Sequence, residues 1–250
     1  MADRTGAFLK HTITTRDIID YLSIQGYQPD ALRGCEDLII RGVCDSRSDG
    51  KNQLVFSTSE HYSSAFGLSD SLVLINNFPN EESLGSNHFL KVADPKAVFI
   101  GLLQWLVEHV GVDAHKPGFN QTASVSAEAD ISSHAVIEAG VEIGAGTTVC
   151  AGAVIKSGTW IGRNTVIREN VVIGSDGISI YRANDGSLLK FPHVGGVFIG
   201  DETEIGANTV IAGGILAPTC IEHKVVIGNL CNVGHCAQIG QSAWMSVGSL

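Results

Sequence analysis

Apolar positions follow two rhythms along this chain, and the change falls between residues 113 and 119. Before it, the pattern is that of alternating helices and strands. Thr14 and Thr15 precede DIIDYLSIQ, where Ile18, Ile19 and Leu22 share one helical face, as an amphipathic helix requires. DLIIRGV (37–43), QLVFS (53–57), SLVLINN (71–77) and HFLKVA (88–93) read as strands. SEHYSSAFG (59–67) predicts a short helix ended by Gly67. Asp94-Pro95 supplies an N-cap followed by proline at the first helical position. It opens a helix through Val110 with Val98, Phe99, Leu102, Leu103 and Leu106 as its apolar stripe. Residues 1–113 are therefore expected to form a mixed α/β domain.

From residue 119 the period becomes six: Phe119, Val125, Ile131, Ile137, Ile143, Val149, Ile155, Ile161, Ile167 and Ile173. Four positions after each of the first nine stands a small or β-branched residue, from Ala123 through Thr147 and Thr165 to Val171. The next position is often glycine, as in Ile143-Gly144 and Ile161-Gly162. A period of six fits neither a helix nor a plain strand. It predicts a short strand plus a turn, three units closing one triangular coil, with coils stacking to bury the ladder. The ladder resumes at Ile199, Ile205 and Ile211, then shifts to Ile221, Ile227, Val233, Ile239 and Met245. Two interruptions separate these runs: an excursion at 175–197 and a smaller bulge, AGGILAPTC, at 212–220. Insertions in repeat proteins map to loops on one face, often the binding face.

Composition narrows the function classes. The chain has 250 residues, 29 of them glycine, with 17% charged residues and a formal net charge of −10. Low charge with ample apolar content excludes a disordered chain. An acidic balance argues against nonspecific nucleic-acid binding. The longest apolar stretch, Ala97–Val107, contains Gln104 and falls short of the ~20 residues that span a bilayer. The start, MADRTGAFLKHTITTRD, has no apolar core of a secretory signal. Cysteines 35, 44, 150, 220, 231 and 236 form no CxxC pair, so no zinc site is expected and reduced, cytoplasmic thiols are.

The α/β start, the ladder, the segment SDGISIYRANDGSLLKFPHVGGVFIGDETEIGANTVI (175–211) and VIGNLCNVGHCAQIG (226–240) together resemble the UDP-3-O-acylglucosamine N-acyltransferase family of lipid A biosynthesis, from about residue 12 onward. The resemblance implies a left-handed parallel β-helix preceded by a small α/β domain. It divides the chain into a uracil-binding domain at 1–113 and an acyltransferase domain at 114–250. It implies transfer of a 3-hydroxyacyl group from acyl carrier protein to the 2-amine of a UDP-3-O-acylglucosamine, a homotrimer with active sites in clefts between subunits, and no cofactor or metal.

The site residues follow from the same resemblance. The family's catalytic histidine matches His235, in NVGHCAQIG. An amine attacking a thioester must lose a proton, and imidazole titrates near neutrality, so histidine suits a general base. His235 follows ladder residue Val233 and Gly234, which points its side chain outward. The family's uracil-stacking pair, six residues apart, matches Phe56 and Tyr62, with Ser59 between them where the family commonly has asparagine. Core packing is the competing reading of that pair. Lys190 is a candidate diphosphate contact, against a plain solvated loop lysine. His193 and His223 read as turn residues, His193 being the second choice for the site.

Departures from the family leave alternatives open. Ala212-Gly213-Gly214 stands where the family usually has Asp-Arg-Gly, removing one acidic and one basic group. The chain stops at Leu250 inside a coil, where family members continue with further coils and helices. It reads either as a piece of a longer chain or as a shortened paralogue. A nucleotide-sugar acyltransferase using acyl-CoA and a non-catalytic nucleotide-sugar-binding solenoid are the two competing functions.

Overall fold

The computed structural model describes residues 6–27, 31–33, 38–46, 48–57, 67–78, 85–114 and 123–250. Ser59, Tyr62, Phe119 and the expected helix ahead of Gly67 lie outside the described residues. The chain divides into two units. One comprises Met1–Asp113 with Ile178–Pro192, the other Ala114–Gly177 with His193–Leu250.

In the first unit a strand, Gly6–Thr14, runs straight into helix α1, Thr15–Ile24. Thr14 forms the junction because its hydroxyl accepts from the Asp17 amide while the Asp17 carboxylate accepts from the Thr14 amide at 2.7 Å, a reciprocal capping box. The Thr14 amide first, and then the Thr14 hydroxyl, which also donates to the carboxylate at 2.8 Å, hold the Asp17 carboxyl below its usual pKa. Helix α2, Pro95–His109, starts as the Asp94-Pro95 pair predicts, with the Asp94 carboxylate accepting from Ala97 N at 3.0 Å. A seven-stranded sheet runs in the order Ala31–Arg33, His88–Lys91, Leu72–Ile75, Gln53–Phe56, Ile39–Cys44, Gly6–Thr14, Val112–Asp113. The four strands read from sequence pair in parallel, and antiparallel strands close both edges. Leu72, Val73, Leu74 and Ile75 are all buried, the continuous apolar run expected of a parallel strand covered on both faces. Gly6–Thr14 is a strand that the sequence reading does not contain. Lys10 and His11 interrupt its alternation, and its pairing with Ile39–Cys44 shifts register between Phe8 and Ile13.

The excursion contributes to this same unit. Ile180–Arg182 and Leu188–Lys190 pair as an antiparallel hairpin. Phe191 is buried with its ring 6.0 Å from Phe99 and 6.4 Å from Phe56. Tyr181 donates its hydroxyl hydrogen to the Asp94 carboxylate at 3.1 Å, and Gln104 Nε2 donates to Lys190 O at 2.8 Å.

The second unit is a three-faced parallel β-helix, two faces of six strands and one of five. Each strand pairs with the one three hexapeptides later: Ser124 opposite Glu142, Glu142 opposite Trp160. The ladder points inward, with Ile155, Ile161, Ile167, Ile173, Ile199, Ile205, Ile211 and Ile221 at 0% exposure. Its first rungs are shallower: Val125 is 39% exposed, and Ile131 and Ile137 are partly buried. The small and β-branched positions line the same core. Among them the threonines form a hydrogen-bonded column. Thr165 N donates to Thr147 Oγ1 at 3.1 Å, Thr165 Oγ1 donates to Gly200 O at 3.1 Å, and Thr203 N donates to Thr165 Oγ1 at 3.4 Å.

Glycine serves two different needs here. After a ladder residue the backbone of the next coil lies very close: a Cβ on Gly144 would stand 2.7 Å from the Gly162 carbonyl. Two positions further on, the corner takes a left-handed backbone, at Gly146 (φ 71°) and, one coil later, Asn164 (φ 52°). Both are residues that adopt this region readily.

Candidate active site

His235 lies in the turn between the third-face strand Asn232–Val233 and the first-face strand Gln238–Ile239. Both interruptions of the repeat occur at this same corner. The excursion leaves after Val172–Ser175 and the bulge follows Val210–Ala212, each a third-face strand, and each segment returns to the first face. Parallel stacking therefore superposes excursion, bulge and His235 turn on successive coils of one edge.

Contacts bear this out. The ring of His193, which follows the part of the excursion that joins the first unit, Ile178–Pro192, meets the His235 ring edge to face, centroids 5.3 Å apart and planes at 68°. Gly177, which immediately precedes that Ile178–Pro192 part of the excursion, backs both rings. A Cβ there would stand 2.9 Å from His193 Nε2 and 3.1 Å from His235 Cδ2. His235 Nδ1 is buried with no hydrogen-bond partner among the described residues, which leaves Nε2 as the ring nitrogen available to a reactant. The ring is thus half covered rather than simply solvated.

The bulge grips the next residue. Cys236 N donates to Thr219 Oγ1 at 2.9 Å, and Cys236 Sγ accepts from Ile215 N at 3.2 Å. Cys236 carries φ 59°, a strained conformation for a residue with a Cβ, and these bonds hold it. The bulge is itself tied to the returning excursion through Val194 N to Ile215 O at 2.8 Å and Gly195 N to Gly214 O at 2.9 Å. Ala212-Gly213-Gly214 is buried in this packing, and a Cβ on Gly214 would overlap Ala217 O. Two coils before the bulge, the same edge carries an ion pair, Lys156 Nζ to Glu138 Oε1 at 2.7 Å. Hydrogen bonding to Lys156 first, then to the Ser157 amide, lowers the Glu138 pKa, and Glu138 in turn raises that of Lys156.

The other sequence-predicted residues belong to the first unit. Phe56 is half-buried, its ring 4.8 Å from that of Phe99, so core packing already takes part of it. Lys190 is exposed at the end of the excursion hairpin. His223 accepts from Asp201 N at 2.9 Å through Nδ1, the contact of a turn residue. Gly177 and Cys236 were not singled out from sequence, because close approach and a left-handed backbone at a non-glycine residue leave no periodic mark. Among the described residues, no group of three or more His, Cys, Asp or Glu could hold a metal ion. Among those residues, too, no helix is long and apolar enough to cross a membrane.

No family model matches the chain. A UDP-3-O-acylglucosamine N-acyltransferase of Chlorobium chlorochromatii is 39% identical over 254 aligned positions, covering 91% of this chain and 70% of that protein. Its namesake in Chlorobium luteolum is 33% identical, with 92% and 72% covered. Among solved structures, the UDP-N-acetylglucosamine acyltransferase of Campylobacter jejuni overlaps 49% of this chain and 48% of its own, with 22% identity and a TM-score of 0.38.

Proposed function

Because the chain belongs to the UDP-3-O-acylglucosamine N-acyltransferase family, we propose that it acylates the 2-amine of a UDP-3-O-acylglucosamine with a 3-hydroxyacyl group delivered on acyl carrier protein, His235 acting as the base. The observation that supports this role is the seating of His235: Nδ1 buried, Nε2 left available, at an edge where both insertions of the β-helix converge.

In the reaction the amine nitrogen attacks the thioester carbonyl carbon. The N–C bond forms, the C–S bond breaks, and the proton lost by nitrogen passes to His235 Nε2 and on to the leaving thiolate. Binding holds amine and thioester in reach of each other, and that accounts for much of the rate. Phe56, with Ser59 and Tyr62, would hold the uracil by stacking and hydrogen bonding, and Lys190 would meet the diphosphate. A homotrimer belongs to this reading. Four of the five outward positions of the third face, Val136, Val154, Val172 and Val210, are apolar, with Asn232 the fifth, and Val136 is 55% and Val210 36% exposed. An apolar strip of this kind is suited to burial against another subunit.

The test is an acylation assay with the UDP-aminosugar and matched 3-hydroxyacyl donors on carrier protein and on CoA. His235→Ala is expected to lower turnover by ~100-fold or more, the scale of general-base catalysis. Turnover that survives the substitution overturns His235 as base, and preference for the CoA donor overturns the carrier protein.

A further inference from the structure

We propose that His193 is the positioning residue of His235, an assignment that rests on the reading of His235 as the base. A histidine in a surface turn has several rotamers open to it, yet a base must stay within hydrogen-bond reach of the proton it takes. In many catalytic sites an acceptor on the far ring nitrogen fixes the imidazole. His235 has no such acceptor: its Nδ1 is buried without a hydrogen-bond partner among the described residues.

Packing does the work instead. The His193 ring meets the His235 ring edge to face at 5.3 Å, and Gly177 closes the floor beneath both, with no room for a Cβ. His193 is itself on fixed backbone, because the two residues after it pair with the bulge at Ile215 and Gly214. The two residues that touch the base thus flank the Ile178–Pro192 segment of the excursion on either side. Its ends hold the imidazole so that Nε2 stays turned toward the reactants.

The experiment combines steady-state kinetics with NMR of protein carrying ¹³C-labelled histidine. His193→Ala is expected to lower kcat by about 10- to 100-fold, as loss of orientation does. KM for the UDP-sugar should stay within about twofold, and the His235 ring signal should broaden or move toward an averaged shift. Wild-type protein should show a nuclear Overhauser contact between the His193 and His235 ring protons. Gly177→Ala, which keeps both imidazoles but pushes them apart, should reproduce the kcat loss. A His193→Ala enzyme with unchanged kcat and an unchanged His235 signal overturns the proposal. If that variant does not fold, absence of the wild-type ring contact overturns it equally. His235→Ala separates the two readings. If it is inactive while His193→Ala is normal, only the positioning role fails. If it is active, the base assignment fails, and the positioning role with it.

Discussion

Single residues in this chain are governed by burial and by the backbone region they must adopt. Cys44 shows the first. It is 1% exposed at the end of a central strand, and burial, with a smaller contribution from the Asp45 charge, pushes its thiol up to about 12. The thiol is the neutral form, so folding favours the protonated side chain. That contribution is complete below the ordinary value of 9.0 and is lost as pH rises from there through about 12. Native protein at about pH 8 should therefore leave Cys44 unmodified by iodoacetamide, since only the thiolate attacks. Unfolding in urea should expose it. Peptide mapping that finds Cys44 alkylated in the folded state would contradict its burial. Leu230 shows the second. Its corner position demands φ 59°, and its side chain is 62% exposed. The conformation costs about 1–2 kcal/mol for a residue with a Cβ and gains little burial in return.

At the level of elements, the hexapeptide works because each unit is too short to fold alone and every strand completes its hydrogen bonds with neighbouring coils. The isoleucine ladder supplies the apolar core. The threonine column supplies polar groups inside it that are satisfied only when coils stack. Thr165 is 0% exposed, and its hydroxyl serves both Gly200 O and Thr203 N. Thr165→Val keeps the shape and removes both bonds. It is expected to destabilise the β-helix by about 1–3 kcal/mol, the cost of leaving buried backbone groups unpaired. Urea denaturation followed by circular dichroism measures it. A midpoint equal to wild type would mean that the column is dispensable. Six-fold spacing made the strands readable, and Asp94-Pro95 made α2 readable. The strand Gly6–Thr14 was not, because a bulged partner register breaks the alternation on which strand reading depends.

Across the whole molecule, the repeat has an outward as well as an inward face, and the valine row on the third face is the feature that bears on assembly. A homotrimer predicts a sedimenting mass about three times the 26.4 kDa of one chain at micromolar concentration. Val154→Lys together with Val172→Lys should shift the protein toward monomer, since paired charges on one strip oppose its burial. A monomer in the unmutated protein would argue against active sites shared between subunits.

The sequence by itself determined the periodicities, and with them the α/β unit, the β-helix and the place of both interruptions, while the candidacy of His235 came from the family resemblance of its segment. The periodic features depend on local side-chain pattern, which is written residue by residue. Only the tertiary structure decided what surrounds His235. Gly177, His193, Ile215 and His235 are spread over 59 positions of chain, and stacking of coils brings them onto one edge. It also assigned the excursion hairpin to the first unit and placed Phe56 beside Phe99. The physical reason is that the contacts around His235 come from coil-on-coil registration, and those of Phe56 from side chains of a strand and a helix far apart in sequence. A pattern of apolar spacing specifies that the coils stack, while the length of each insertion decides which residues end up side by side.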